Sequence, residues 1–477
     1  MINQLLKARV IDNLPFSPNF QQSELLDQLT SFLLDTKADS LFLMQGYAGT
    51  GKTSLVGALV KTMSELGRKT VLMAPTGRAA KVFSSYSGHP AFTIHKKIYR
   101  QKSFSGDMDN FQISDNLHKH TLFIVDEASM IANSSDGAQF GTGRLLDDLI
   151  EYVYAGEGCK LLVLGDVAQL PPVGQLSSPA LNPEFYKGYG LDVTYFCLTE
   201  VARQAHDSGI LHNATALREV MAAGEPYGLP AMRTVGFSDV RKVTGTELID
   251  EISNAYSRNG MEETIIITRS NKRANQFNQG IRNQILFREE EISGGDLLLV
   301  AKNNYHWCKE IKEIDFIANG DIVQVKRVRG TQEMYGFRFA DVEIHFPDYE
   351  FETEVKIILD TLHSEAPALP YEMNNRLFQE VYADYAHIPN QRDRIRKVKA
   401  DPYFNALQVK YAYAITCHKA QGGQWENVFL DMGYINKEHL GLDFYRWLYT
   451  AFTRATQKLW LVNIADEFLD EESQKEG

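Results

Sequence analysis

The sequence is poor in the features that mark secreted, zinc-binding and membrane proteins. Its 477 residues include only four cysteines, Cys159, Cys197, Cys308 and Cys417, which lie far apart and form no CxxC pair. This spacing argues against a disulfide framework and a zinc site, and it predicts reduced thiols in the cytoplasm. No apolar run approaches the roughly 20 residues that cross a bilayer, and the opening MINQLLKARV has no signal-peptide core. We therefore expect a cytoplasmic protein without a membrane anchor.

The sequence also lacks an excess of basic residues. It carries 49 Lys and Arg against 61 Asp and Glu, a net charge of −12. Because nonspecific affinity for nucleic acid comes from neutralising phosphates, any nucleic-acid site must be a local basic groove. The length and the 44% hydrophobic content predict two to four folded domains with substantial cores.

A glycine-rich segment follows the first strongly apolar run. Leu41–Met44 predicts a strand, and the segment after it opens into a helical stretch, the strand–loop–helix order of a Walker A motif. Glycines there allow positive φ and a close approach of backbone N–H groups to phosphates. The alternative is a glycine-rich turn that matches by chance. The candidate nucleotide-binding residues are Gly46, Ala48, Gly49, Thr50, Gly51, Lys52 and Thr53.

Two of these residues have specific expected roles, and a second motif supports them. Lys52 would bridge the β- and γ-phosphates of ATP, and the Thr53 hydroxyl would bind Mg²⁺. The apolar run at 121–125 predicts a buried strand that ends at Asp126 and Glu127. Asp126 would hold Mg²⁺ together with Thr53, and Glu127 would orient or deprotonate the attacking water. The alternative is an acidic pair that caps the next helix.

Short apolar runs alternate with helical stretches along most of the chain, which predicts parallel sheets with crossover helices. The first unit would span 1–205, and the second would span 206–326 and 405–477. The predicted strands are 41–44, 70–74, 122–125, 160–164 and 194–198 in the first unit, and 264–268, 297–300, 322–325, 409–414, 428–432 and 458–462 in the second.

Two insertions interrupt this alternation. The polar segment 100–116 contains a Ser-Gly-Asp turn signal, which predicts a β-hairpin over 99–117, with a solvated surface loop as the alternative. The stretch 327–404 combines alternating apolar and polar segments with a charged helical run, which predicts a small β-barrel with a helical piece. The basic run 392–399 is typical of a solvated helix face, with a nucleic-acid contact as the alternative.

Further motifs occupy the ends of the predicted strands. They are APTGRAAK (74–81), TIHK (93–96), GDVAQLPPV (165–173), LTEVARQ (198–204), YAITCHKAQG (413–422) and WLYTAFTRA (447–455). In order and spacing they resemble, together with the Walker motifs, the motif set of superfamily 1 helicases, most closely the RecD-like and Dda-like branch. The resemblance implies an α/β protein with two RecA-like P-loop domains, to which the two insertions would add a hairpin in the first and a small SH3-like β-barrel in the second.

The resemblance also assigns roles around the nucleotide. Arg454 corresponds to an arginine finger, the motif around Arg203 lies against the nucleotide, Gln169 resembles a γ-phosphate sensor and Gln22 an adenine-reading glutamine. Cations that arrive only when two domains close would stabilise charge in the transition state. Arg454 as a structural salt-bridge residue is the alternative. Gln22 and its neighbour Gln21 could instead be solvated residues at a helix start.

A nucleic-acid groove needs hydroxyl, backbone and basic contacts to phosphate, and the resemblance assigns that role to residues at strand ends. Each could singly be a core or capping residue. A metal site at His95 and His418 is a poor reading, because no cysteine or carboxylate cluster completes it. Phe92, Tyr99 and Trp425 are possible stacking rings, with core packing the better interpretation. The candidate residues are Pro75, Thr76, Arg78, Thr93, His95, Thr416, His418 and Lys419.

These patterns together predict an ATP- and Mg²⁺-dependent DNA helicase that moves along single-stranded DNA, with the hairpin as the pin that parts forked duplex DNA. The branch that it resembles moves 5′→3′. The alternatives are an RNA or RNA–DNA hybrid helicase, a nucleic-acid-stimulated ATPase without unwinding activity, and a P-loop metabolic kinase, which leaves the motifs after residue 400 unexplained. Without the long N-terminal extension of some RecD-like proteins, we expect a stand-alone monomer.

Overall fold

The protein is described by a computed structural model that covers residues 2–101, 111–133, 141–201, 207–224, 228–308, 316–347, 350–435 and 440–475. No helix within these ranges is long and apolar enough to span a bilayer. The strands are β1 (Ser40–Gly46), β2 (Lys69–Ala74), β3 (Ala91–Thr93), β4 (Tyr99–Gln101), β5 (Phe111–Ile113), β6 (Thr121–Val125), β7 (Lys160–Gly165), β8 (Asp192–Leu198), β9 (Val240–Val243), β10 (Thr264–Thr268), β11 (Leu297–Val300), β12 (Ile322–Met334), β13 (Phe337–Phe346), β14 (Phe351–Ile358), β15 (Leu407–Tyr411), β16 (Ala414–Thr416), β17 (Trp425–Asp431) and β18 (Ala455–Val462).

Helices connect most of these strands. Several begin at a side-chain cap that the sequence supplies, such as Asn19, Thr76, Thr93 and Ser270. The helices are α1 (Ile2–Asp12), α2 (Phe20–Leu34), α3 (Lys52–Glu65), α4 (Gly77–Ser87), α5 (Ile94–Ile98), α6 (Leu145–Tyr154), α7 (Pro183–Lys187), α8 (Gly209–Ala222), α9 (Leu248–Asn259), α10 (Asn271–Gly280), α11 (Tyr371–Asp384), α12 (Gln391–Lys399), α13 (Cys417–Ala420), α14 (Leu442–Phe452) and α15 (Glu471–Lys475).

The first sheet is parallel and has six strands in the order β3-β2-β6-β7-β1-β8. Strands β1 and β6 are buried along their whole length, as expected for strands that are covered by helices on both faces. The parallel α/β fold predicted for this part of the chain is therefore confirmed. Because β1, β6 and β7 lie in the middle of the sheet, the loops that follow them meet at one edge.

The second sheet is also parallel, with the order β16-β10-β17-β18-β9. Its strands β10, β17 and β18 correspond to the predicted strands 264–268, 428–432 and 458–462. Two parallel sheets in one chain confirm the predicted fold class. The loops after β16 and the helix α14 face the first sheet's loop edge, as the contacts below show.

The strand assignment of the second unit needs one correction. We predicted 297–300, 322–325 and 409–414 as strands of the parallel sheet, but β11, β12 and β15 close a barrel with β13 and β14. Of the third run only the last residue, Ala414, belongs to the parallel sheet, where it begins β16. The barrel thus includes strands that lie outside the predicted insertion 327–404. A short apolar run has the same appearance in either setting, so the pattern could not separate them. The helical piece is present as α11 and α12, which pack on the barrel through Leu377, Val381 and Val398.

The polar insertion in the first unit begins and ends as a hairpin. β4 and β5 pair antiparallel, with Tyr99 opposite Ile113 and Gln101 opposite Phe111. Phe111 is buried and its ring centre lies 4.9 Å from that of Tyr305. The hairpin reading is therefore supported at its base, and residues 102–110, the expected tip of the pin, lie outside the described residues.

Candidate nucleotide site and nucleic-acid groove

The glycine-rich segment forms a loop between β1 and α3. β1 ends at Gly46 and α3 begins at Lys52, and Gly49 and Gly51 have φ values of +73° and +87°, which side chains with a Cβ rarely adopt. Lys52 Nζ donates hydrogen bonds to the carbonyl oxygens of Gly46 and Tyr47, the latter at 2.9 Å. The loop therefore has the backbone geometry of a phosphate-binding loop, with its lysine folded against it.

This loop forms one wall of a cleft of about 420 Å³ between the two parallel sheets. Residues from both sheets face the same space, so the cleft brings together motifs that are up to about 400 residues apart in sequence. The predicted site residues that line it are Ala48, Gly49, Gly51, Lys52, Thr53, Asp126, Glu127, Gln169 and Arg454.

Asp126 and Glu127 follow β6 and enter this cleft. Asp126 Oδ1 accepts a hydrogen bond from the Glu127 N–H at 2.7 Å, and Oδ2 accepts one from the hydroxyl of Tyr86. Glu127 has φ of +54°, a strained value that is common at functional sites. Within the described ranges no cluster of three His, Cys, Asp or Glu residues could hold a metal ion. The Thr53 hydroxyl and the Asp126 carboxylate nevertheless fit Mg²⁺, which takes one or two protein oxygens and completes its shell with phosphates and water.

Glu127, Gln169 and Arg454 form a contact across the cleft. Burial raises the pKa of Glu127, while the nearby Arg454 and Lys52 oppose that rise. Arg454 Nη1 lies 3.8 Å from Glu127 Oε1. With the Gln169 amide turned to satisfy both neighbours, its nitrogen donates to Glu127 Oε2 at 3.3 Å and its oxygen accepts from Arg454 Nη2 at 3.1 Å. The three side chains predicted to act on the γ-phosphate and water therefore contact one another.

Arg454 is also tied to its own domain. The residue is 2% exposed, and its guanidinium donates to the carbonyl oxygens of Thr450 and Gly423, each at 3.1 Å. Arg454 can therefore support its own domain and also act as an arginine finger, because the side chain that binds these backbone carbonyls also reaches Glu127. Arg203 lies outside the described residues.

Gln22 lies beneath the phosphate loop. It is 1% exposed, its Oε1 accepts from the Asn19 N–H at 3.0 Å, and its Nε2 donates to the Thr50 carbonyl at 2.9 Å. The reading of Gln22 as a solvated residue is therefore wrong. Gln21 instead contacts Thr199 at the end of β8, with its Nε2 donating to Thr199 Oγ1 at 2.8 Å. Adenine recognition by Gln22 stays a prediction.

Sequence analysis missed a buried tyrosine that joins the two domains at this site. The hydroxyl of Tyr449 accepts a hydrogen bond from the Ala48 N–H at 2.8 Å and donates to Asp166 Oδ2 at 2.6 Å. Burial raises the pKa of Asp166. Both residues lie inside quoted motifs, GDVAQLPPV and WLYTAFTRA, so their places were visible but their contact was not.

The loop after β7 makes further contacts with the second domain through Leu170. The Leu170 N–H donates to Thr450 Oγ1 at 2.8 Å, and the Leu170 carbonyl accepts from Gln421 Nε2 at 2.6 Å. Thr450 belongs to α14, and Gln421 follows α13. One residue of the first domain is therefore bound on both backbone groups by the second domain.

The nucleic-acid candidates of the first domain lie at helix starts. Thr76 caps α4 by accepting from the Ala79 N–H at 3.2 Å, and Thr93 caps α5 by accepting from the Lys96 N–H at 3.1 Å. Pro75 directly precedes Thr76 and is partly buried. The capping alternative holds for both threonines. It does not exclude phosphate contacts, because helix N-termini bind anions.

Arg78 and His95 have protein partners in this structure. Arg78 Nη2 donates to the Gln424 carbonyl at 2.9 Å, and its guanidinium carbon lies 4.5 Å from the centre of the Trp425 ring. His95 packs near Tyr99, and burial lowers its pKa to about 4. Trp425 and Tyr99 are 2% and 6% exposed, which supports core packing for these two rings.

The candidates of the second domain share a groove of about 450 Å³. Thr416, His418 and Lys419 line it, whereas the five candidates of the first domain are not among its lining residues. Sequence analysis missed Arg269 and Lys410, which line the same groove. Arg269 follows β10 directly, a strand-end position that could have identified it; Lys410 lies within a barrel strand and gave no such signal.

Comparisons with known proteins show what this chain is similar to. A family model described as an AAA domain matches residues 19–228, and one described as a UvrD-like helicase C-terminal domain matches residues 411–462. The ATP-dependent DNA helicase dda of Enterobacteria phage T4 is 26% identical over 81% of this chain and 86% of its own length. The ATP-dependent RecD2 DNA helicase of Deinococcus radiodurans is 22% identical over 92% of this chain and 48% of its own length.

The chain spans only part of some relatives. It covers 38% of an uncharacterized protein of Methanocaldococcus jannaschii that is 23% identical.

Among solved structures, Pif1 helicase from Bacteroides in complex with ADP-AlF3 and ssDNA aligns over 95% of this chain and 94% of its own, at 14% identity and a TM-score of 0.46. The two family models, the dda and RecD2 relatives and the order of the motifs at one cleft together make this chain similar to superfamily 1 helicases of the RecD-like and Dda-like branch.

Proposed function

We propose that this chain is an ATP-dependent DNA helicase that moves 5′→3′ along single-stranded DNA. The observation that carries the proposal is the shared cleft, where Lys52, Asp126 and Glu127 of the first domain face Arg454 of the second. The relatives named dda and RecD2 are ATP-dependent DNA helicases, which supports DNA as the substrate. All these side chains come from one chain, which supports a monomer as the working unit.

The cleft residues have separate roles in hydrolysis. Lys52 binds the β- and γ-phosphates, and Thr53 and Asp126 would hold Mg²⁺, which supplies charge neutralisation at the phosphates when bound. Glu127 accepts a proton from the attacking water or orients it. Gln169 and Arg454, already in contact with Glu127, stabilise the charge that develops on the transferred phosphoryl group.

Movement along DNA follows from the two-domain construction of the cleft. ATP draws the domains together through Lys52 and Arg454, and hydrolysis releases them. Thr76 and Arg78 of the first domain and Thr416 and Lys419 of the second would grip the strand alternately. The hairpin over 99–117 would part the duplex ahead of the moving strand.

The decisive experiment measures ATP turnover and forked-duplex separation in parallel. We expect turnover to be low without polymer, to rise with single-stranded DNA and to rise much less with RNA. Strand separation should require ATP. A preference for RNA would favour the RNA helicase, DNA-stimulated turnover without separation would favour a clamp or remodelling ATPase, and turnover that ignores polymer would favour a kinase.

Two variants test the cleft assignment within the same experiment. Lys52→Ala and Glu127→Gln should each lower turnover by orders of magnitude, because each removes a group that acts on the reacting phosphate or water. Lys52→Ala should also weaken ATP binding, whereas Glu127→Gln should retain it. Near-normal turnover in either variant would refute the assignment of that residue.

A further inference from the structure

Tyr86 contacts a carboxylate of the nucleotide site from a helix that carries nucleic-acid candidates. It lies near the end of α4, and its hydroxyl donates a hydrogen bond to Asp126 Oδ2. The other oxygen of Asp126 accepts from the Glu127 N–H at 2.7 Å. Both oxygens of the carboxylate are therefore oriented, one by the backbone and one by Tyr86.

The packing of α4 fixes the position of this hydroxyl. The Tyr86 ring stacks on Phe83 with ring centres 5.1 Å apart. The backbone carbonyl of Tyr86 packs against Gly57 of α3, where an added Cβ would lie 3.1 Å from the carbonyl oxygen.

The same helix touches the second domain and the barrel. Arg78, in its first turn, donates to the Gln424 carbonyl, and Lys81 Nζ donates to the Pro347 carbonyl at 2.9 Å. Ala79 lies against Gly422. Helix α4 is thus in contact with the second domain and the barrel along its first turns and with Asp126 near its last turn.

We propose that Tyr86 is a positioning residue that orients the Asp126 carboxylate toward Mg²⁺ and so sets the metal affinity of the nucleotide site. The proposal rests on the proposed function, in which Asp126 is a metal ligand. Hydrogen-bond partners of metal-binding carboxylates fix the direction of the ligand's lone pairs, and their removal weakens metal binding or activity by about 10- to 100-fold.

The test compares Tyr86→Phe with Tyr154→Phe. Both changes remove one hydroxyl from a tyrosine of the first domain, but Tyr154 donates to the Ser40 carbonyl at 3.0 Å, away from the cleft. We would measure Mn²⁺ binding to the protein–ADP complex by electron paramagnetic resonance, and the Mg²⁺ concentration that gives half-maximal ATP turnover. Tyr86→Phe should weaken Mn²⁺ binding and raise the Mg²⁺ requirement about tenfold or more, and saturating Mg²⁺ should restore most of the turnover.

The control variant should match the wild type in both measurements. The phenylalanine ring keeps the stacking on Phe83, so the thermal midpoint of Tyr86→Phe should stay near that of Tyr154→Phe. Unchanged or tighter Mn²⁺ binding by Tyr86→Phe would overturn the proposal, and tighter binding would mean that the hydroxyl competes with the metal. A third variant, Asp126→Asn, tests the proposed function separately from the role of Tyr86. If Asp126→Asn binds Mn²⁺ as the wild type does, Asp126 is not a metal ligand.

Discussion

At the scale of single residues, Arg454 combines chemistry with support of its own domain. Arg454→Ala should reduce turnover by about 10³-fold or more, the usual effect of losing an arginine finger. The thermal midpoint should also fall, because the carbonyls of Thr450 and Gly423 lose their donor, at about 1–3 kcal/mol for a buried group. Turnover, thermal unfolding and DNA binding would be measured on the same preparation.

A matched control lies on the helix that precedes Arg454. Arg446 of α14 donates to the Leu176 carbonyl at 2.7 Å and is not among the residues that line the nucleotide cleft. Arg446→Ala should lose some stability and keep turnover within a few-fold of wild type. If Arg454→Ala lost no more turnover than Arg446→Ala, its role would be structural alone.

The lowered pKa of Lys410 should make the folding stability of the protein depend on pH. Burial, together with the charge of Lys419, lowers this pKa from 10.5 to about 8, and the residue is 8% exposed. Because the folded pKa lies below the unfolded one, the unfolded chain binds more protons between pH 8 and pH 10.5, and stability rises with pH across that window. Lys410→Met removes this titration, and at every pH it also removes the donor to the Ser364 carbonyl. The gap in stability between Lys410→Met and wild type should therefore shift in favour of wild type as pH rises through the window, by on the order of 2 kcal/mol.

Thermal unfolding across that pH range measures the effect. The control is Lys326→Met, which removes a lysine that is 42% exposed on the same barrel. A gap for Lys410→Met that stays constant with pH, or that changes no more than the control's, would contradict the prediction.

At the scale of elements, the contact between α4 and the loop after α13 depends on a glycine. Gly422 has φ of +73°, and a Cβ there would lie 2.8 Å from the Cβ of Ala79. Gly422→Ala should push the two domains apart and lower DNA-stimulated turnover. Gly88, at the end of α4, has φ of +68°, and a Cβ added to it would meet nothing within 4 Å.

Gly88→Ala therefore imposes similar backbone strain without the inter-domain clash. We expect both alanine variants to lose about 1 kcal/mol or more of folding free energy, since each forces a left-handed conformation on a residue with a Cβ. Only Gly422→Ala should lose DNA-stimulated turnover. Equal turnover in the two variants would show that the close approach is not needed for the closed cleft.

The hairpin allows translocation to be separated from strand parting. A replacement of the segment between β4 and β5 should leave β5 in place, because Phe111 at the start of β5 belongs to the core of the first domain. Exchanging residues 102–110 for a short Gly-Ser linker should preserve DNA-stimulated turnover and abolish fork separation. Loss of both activities together would place this segment in the folding core and not in a pin.

At the scale of the whole molecule, the direction of movement is the clearest test. A duplex with only a 5′ single-stranded tail should be unwound with ATP and Mg²⁺, and one with only a 3′ tail should not. Initiation should weaken with added salt, because loading on a protein of net charge −12 depends on a local basic groove. Preferential unwinding of the 3′-tailed substrate would overturn the polarity and leave the ATPase assignment intact.

The sequence alone determined the nucleotide loop, the acidic pair and the two parallel sheets. These features are local: glycines at 49 and 51 permit positive φ, and buried strands that alternate with helices form a parallel sheet in only a few ways. Family resemblance then named Gln169 and Arg454, which the structure places in contact.

Only the tertiary structure decided which apolar runs form the barrel and which partners meet at the cleft. The runs at 297–300, 322–325 and 409–414 are too short for periodicity to distinguish a barrel strand from a parallel one. Tyr449 and Asp166 are 283 residues apart, and Tyr86 and Asp126 are 40 apart. Such contacts depend on how the sheets and helices pack, because a single hydroxyl gives no periodic signal in the sequence. A hydrogen bond also forms only within a distance range of a few tenths of an ångström, which only the packed structure sets.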